Sequence, residues 1–296
     1  MKNATPLKIA FFGTPDIAVM VLDELAIAGY IPALVVTNPD APVGRKHIMT
    51  SPPAKVWATE HNIPVFQPTT LKQNDDHPMT VITDTDWDLF IVAAYGKLIP
   101  EWLLELPQYK TINVHPSLLP QLRGASPIRS AILQDIRETG VTIMQMDAEL
   151  DHGPIIAQLP AVIASEHWPV AGSILDEGLA RQGGALLASI IPKWVAGELT
   201  PLAQDHAKAT FCTKISKDMS ELVIDPVNLP TGDTARETLL KIRAFDVWPE
   251  TFFIHNGKRI KIKHATLDAS GTLRITRIVP EGKNEMNWEQ YFPAPK

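Results

Sequence analysis

The sequence predicts an α/β chain, a mostly parallel sheet covered by helices, followed by a small β-rich domain. Three observations carry this expectation. Short, near-continuous apolar runs alternate with helical spacings through the first half, as parallel strands buried on both faces require. A long amphipathic stretch then ends at Gly197. Beyond Thr210 the texture changes to one helix and several alternating strands.

The elements follow in order. Lys8–Gly13 is an apolar run closed by glycine, and Asp16–Gly29 has helical spacing. Ile31–Thr37 is β-branched and reads as the next buried strand, with Leu89–Tyr95 and Thr111–His115 after it. Ser126–Gln134 reads as a covering helix, and Val141–Met146 and Ile155–Ile163 extend the sheet. Gly172–Gly197 is a long helix ending in glycine. Glu198–Ala209 has no period and reads as a linker. Helix Asp233–Ala244 precedes strands Thr251–His255, Arg259–Ala265 and Thr272–Val279, with the hairpin pair Asn256-Gly257 between the first two. The expected domains are therefore 1–197 and 210–296, joined by 198–209.

Bulk properties narrow the class. The 296 residues are 45% hydrophobic and 20% charged, ordinary for a globular chain. No apolar run approaches the roughly 20 residues of a membrane helix. The polar N-terminus lacks a signal-peptide core, so a cytoplasmic protein without a membrane partner is expected. Cys212 is the single cysteine, which excludes an internal disulfide and a multi-thiolate metal site. Net charge is −6, unevenly spread: residues 241–296 hold ten Lys/Arg against six Asp/Glu and carry +4, leaving −10 elsewhere. Such a basic end suits a polyanion, although a solvated basic surface also accounts for it.

Three motifs bear on chemistry. Phe12-Gly13-Thr14-Pro15-Asp16 stands where a dinucleotide-binding chain would carry G-x-G-x-x-G. It has one glycine, and Pro15 sits where backbone would approach a pyrophosphate, which argues against a nicotinamide cofactor. Asn113 and His115 are two apart on a strand, hence on one side, at the end where open α/β sheets form crevices. An amide donor beside an imidazole suits a reaction through an oxyanion, and a structural pair is the alternative. Asp147 ends a strand, and Asp151 follows in a loop closed by Gly153. Asp151 could orient an imidazole, or simply cap a turn. His152 fits no metal-ligand spacing, and no metal is expected.

In this order the motifs resemble the 10-formyltetrahydrofolate-dependent formyltransferases, most closely those acting on methionyl-tRNA. The matching stretches are FFGTPDIA, VVTNPDAPVGR, SPPAKVWA, IPVFQP, VAAYGKLIP, INVHPSLLPQLRGASPI and ETGVTIMQMDAELDHG, covering most of residues 8–160. A weaker match, KISK then KIRAFDVWPETFF, continues past Lys214. The resemblance implies a Rossmann-like catalytic domain and a shortened, OB-like C-terminal domain that contacts tRNA. It assigns catalysis to Asn113, His115 and Asp151, with the Asn and His stabilising the oxyanion and the Asp holding His115 cationic. Folate binding falls to Ser117, Leu118, Leu119 and Pro120, with Ala94, Tyr95, Gly96 and Asp147 lining the pterin pocket. Arg45 and Lys46, in the polar loop 38–53, would meet initiator methionyl-tRNA. The implied donor is 10-formyltetrahydrofolate and the implied state a monomer.

A formyltransferase acting on an amino sugar nucleotide would use the same catalytic set. A binding protein that kept the fold without the activity is a further alternative. The chain departs from the family at GRKH in the Arg45 loop, at HGP after Asp151, and between Ala265 and Thr272, where residues that would supply further barrel strands are missing.

Overall fold

Five parallel strands and an antiparallel pair make the central sheet of the computed structural model, which describes residues 6–44, 46–72 and 79–293. Its strands are β1 (Ile9–Gly13), β2 (Leu34–Val36), β3 (Val65–Phe66), β4 (Leu89–Ala93), β5 (Thr111–His115), β6 (Gly140–Gln145) and β7 (Ile155–Pro160). They lie in the order β7-β6-β5-β4-β1-β2-β3. β6 runs antiparallel to β5, and β7 antiparallel to β6. The mostly parallel sheet read from the sequence is present, with strand ends shifted by a few residues.

Period-two alternation sorts the strand residues onto two faces. Ile9, Phe11, Ile91, Ile112 and Val114 pack in one core with Leu22 and Leu25 of α1 (Asp16–Ile27), Trp57 of α2 (Pro53–Glu60) and Leu187 and Ile191 of α4 (Gly172–Val195). Ala10, Phe12, Phe90 and Val92 form the second core with Ile82, Trp87, Leu103 and Leu104. Asn113 pairs in register with Val92. On that second face β5 therefore carries Asn113, between the apolar Val92 and Met144, and His115, beside Thr142 of β6.

Gly13 ends β1 because nothing larger fits: a Cβ there would lie 2.8 Å from the Ala93 carbonyl oxygen and 2.6 Å from Ala18 Cβ. The turn lets Pro15 accept the Ala18 N–H and start α1. This is the tight strand-to-helix turn suggested by the FGTPD motif.

The chain divides into two compact units, the first of residues 1–124, 139–161 and 177–211, the second of 125–138, 162–176 and 212–296. Segments 125–138 and 162–176, which fall within the expected 1–197, group with the second unit. Arg129 forks onto Asp176, and Asp135 accepts from both Arg236 and Trp168. In that unit α3 (Pro127–Leu133) packs on α5 (Gly232–Ala244). Strands β8 (Phe252–His255), β9 (Lys258–Leu267), β10 (Leu273–Pro280) and β11 (Met286–Asn287) pair antiparallel in that order. Leu239, Ile242, Phe253, Ile260, Ile275 and Ile278 form its core.

Among the described residues no helix is long and apolar enough to cross a membrane. No group of three or more His, Cys, Asp or Glu among them could hold a metal ion.

Candidate active site

β5 presents Asn113 at 9% and His115 at 4% exposure. Asn113's carboxamide makes no hydrogen bond among the described residues, so both its N–H groups are available to a ligand. His115 has an acceptor near each ring nitrogen. Nε2 lies 3.0 Å from the Leu122 carbonyl oxygen, and Nδ1 lies 3.5 Å from Asp151 Oδ1. An acceptor thus stands near each end of the ring, at hydrogen-bond distance from Nε2 and at ion-pair distance from Nδ1.

Asp151 reaches His115 by an indirect path. Gln145, the last residue of β6, pairs with Ile112 near the start of β5. The 146–154 loop must therefore run back along the sheet by about 10 Å, three residues of strand rise, to arrive at His115. Asp151 adopts a left-handed backbone (φ 50°), and its Oδ2 accepts the Gly124 N–H at 2.7 Å. Gly153 lets the loop cross the end of β6, since a Cβ there would lie 1.9 Å from the Gln145 carbonyl oxygen. Asp147, the other carboxylate of the loop, accepts the Glu149 N–H and lies 2.7 Å from His152 Nδ1.

The Ser117–Pro120 turn follows β5. Ser117 and Leu119 are buried, and Leu118 and Pro120 are partly exposed. Thr142 of β6 holds the turn: its hydroxyl donates to the Ser117 carbonyl (2.7 Å) and accepts from the Leu119 N–H (3.1 Å) and the Gln158 amide (2.9 Å). At the end of β4, Ala94 and Gly96 are exposed with positive φ, whereas the Tyr95 ring is buried edge-on to Phe12. Burial pushes the Tyr95 hydroxyl up to about 12. Any contribution of this turn to a pocket is therefore made by backbone.

Lys46 is exposed in the turn of a hairpin, Ala41–Val43 with Ile48–Thr50, and Arg45 lies outside the described residues. The hairpin is rooted at Asp40, which accepts from Gln67, Lys55 and Ser51. Gln67 first, then Lys55, holds this carboxyl down at about 2.

Sequence reading overlooked the Leu122 carbonyl, the Gly124 N–H and Thr142. Backbone groups leave no residue-type signal, and Thr142 is an ordinary strand threonine. The Leu122-Arg123-Gly124 triplet lies inside the INVHPSLLPQLRGASPI stretch, but nothing in its spacing from Asp151 foretells contact.

Residues 7–169 match the family described as formyl transferase. The chain is 36% identical to methionyl-tRNA formyltransferase of Bacillus cytotoxicus, across 98% of this chain and 96% of that one. It is 41% identical to methionyl-tRNA formyltransferase of Halalkalibacterium halodurans, across 95% and 92% of the two. In fold it is similar to an N-formyltransferase from Helicobacter canadensis crystallised with folinic acid and dTDP-3-aminofucose. There the TM-score is 0.60 and identity 19%, over 88% of each chain.

Proposed function

The chain belongs to the methionyl-tRNA formyltransferase family, and from that premise we propose that it moves a formyl group from 10-formyltetrahydrofolate to the amine of initiator methionyl-tRNA. The observation that carries this reading is the free Asn113 carboxamide beside an imidazole bracketed by Asp151 and the Leu122 carbonyl.

The methionyl amine attacks the formyl carbon, a C–N bond forms, and the carbonyl oxygen takes up negative charge. Asn113 donates to that oxygen. A His115 ring protonated on both nitrogens satisfies both its acceptors and sets a positive charge nearby, which stabilises the oxyanion in a site largely closed to water. Collapse breaks the bond from carbon to N10 of the folate, and the proton lost by the attacking amine passes through water to N10, which leaves as a neutral secondary amine. The Ser117–Pro120 turn, the backbone of Ala94–Gly96 and Asp147 would receive the folate. Arg45 and Lys46 would meet tRNA phosphate, assisted by the basic C-terminal region. The protein works as a cytoplasmic monomer in this reading.

A sugar-nucleotide amine is the second acceptor to weigh, because the Helicobacter canadensis structure holds dTDP-3-aminofucose. That likeness, at 19% identity, speaks for fold, whereas the near full-length 36% and 41% matches favour tRNA. Incubation with 10-formyltetrahydrofolate and charged initiator tRNA should yield formylmethionyl-tRNA. No product with tRNA, together with turnover of an amino sugar nucleotide, would overturn the acceptor assignment.

A further inference from the structure

The segment after α4 has no hydrophobic period, yet residues 202–210 lace both rims of the crevice together. Leu202 exchanges two backbone hydrogen bonds with Ile155, at 2.8 Å each. At the other end Thr210 accepts the Leu122 N–H on its hydroxyl (2.9 Å) and the Arg123 N–H on its carbonyl (2.9 Å). Between them Gln204, 5% exposed, donates through Nε2 to the Asp151 carbonyl (2.9 Å) and the Gly153 carbonyl (2.7 Å). Its Oε1 is held by Arg123, 4% exposed, through Nε (3.1 Å) and Nη2 (2.6 Å). Arg123 Nη2 also reaches His206 Nδ1 at 2.9 Å, and the His206 ring stacks on His152 at 4.1 Å.

We propose that Gln204, itself oriented by Arg123, is a positioning residue that holds Asp151 against His115. The geometry is specific. A glutamine whose oxygen is fixed by a guanidinium has its amide nitrogen committed to the opposite side, where two loop carbonyls two residues apart accept it. These bonds clamp the backbone on both sides of His152 and fix the left-handed turn at Asp151. They are needed because the loop leaves the sheet beside Ile112, far from its target, and no strand pairing holds it at His115. Gln204 touches none of the groups assigned to substrate, so it acts only through the loop. The inference rests on the formyl-transfer reading for its catalytic consequence, but not for its structural one.

The test uses Gln204→Leu in the full chain. The Gly124 amide, which donates to Asp151 Oδ2, should exchange with solvent about ten-fold faster or more, while amides of β5 keep their protection. Formyl transfer should slow in kcat on the order of 10- to 100-fold with donor KM little changed, as misplacement of a catalytic group predicts. In an Asp151→Ala background the same substitution should have no further effect on rate. If Gln204→Leu does not fold, Gln204→Glu keeps an acceptor for Arg123, loses both donations, and is read the same way. Unchanged Gly124 exchange, or an equal slowing with and without Asp151, overturns the clamp. A wild-type protein that formylates neither acceptor would instead overturn the reading of the site, and amide exchange would still decide the clamp.

Discussion

Replacing Gly153 by alanine tests the mechanical link between loop and imidazole. The added Cβ would sit 1.9 Å from the Gln145 carbonyl oxygen, 3.1 Å from its carbon and 3.3 Å from Met144 Cε. Gln145 cannot give way easily, because it is paired with Ile112 and its N–H is bonded to the Pro154 carbonyl. The loop must therefore move. Restoring ordinary contact at 3.4 Å needs a displacement of about 1.5 Å. Asp151 lies two residues away, joined to Gly124 by a 2.7 Å hydrogen bond and 3.5 Å from His115. A shift of that size breaks the first contact and removes the second. Misplacement by 1 Å can cost about 10²-fold in rate, equivalent to about 2.7 kcal/mol of transition-state stabilisation. Gly153→Ala should accordingly lower kcat for formylmethionyl-tRNA formation by that factor, measured at saturating donor and tRNA. A folded variant whose kcat stays within two-fold of wild type would refute the reasoning.

Asn113→Ala removes the one unengaged donor on β5 and should lower kcat by about 10²- to 10³-fold. Steady-state kinetics that instead show a raised donor KM at constant kcat would assign Asn113 to binding alone. Thr142→Val leaves the buried Leu119 N–H without its hydroxyl acceptor and the Ser117 carbonyl without its hydroxyl donor. Each such loss costs about 1–3 kcal/mol, so thermal melting should show a drop of several degrees, accompanied by weaker donor binding. Asp40 titrates in the folded chain at about 2, below its ordinary 3.8. Its ties to Gln67, Lys55 and Ser51 therefore contribute stability in full above pH 4, and the contribution is lost as pH falls from 4 toward 2. An NMR titration of its carboxyl carbon checks this, and a midpoint near 4 would contradict the contacts at the hairpin's root.

What could be read from the sequence was whatever burial writes as a pattern. β1, β4 and β5 are five-residue runs buried throughout, and the alternation that places Asn113 and His115 on one side is intrinsic to a strand. The hairpin around Lys46 was missed because both its strands are exposed on every residue, leaving no apolar alternation. β3 is only two residues long. Gln204 was hidden for a different reason. Its segment is ordered by side chain-to-backbone hydrogen bonds and a single two-residue bridge, and neither generates periodicity. The membership of 125–138 in the second unit reflects packing of α3 on α5, about a hundred residues further along the chain, which local spacing cannot report.

The register of β5 has one more consequence. Ile112 and Val114 face the first core while Asn113 and His115 face the crevice, and strict alternation gives no intermediate choice. A slip by a single residue would push an imidazole among Leu187 and Ile191 and leave valine on the crevice face. The mispaired sheet would be unstable before it was inactive. Hydrophobic burial thus proofreads the placement of Asn113 and His115 during folding.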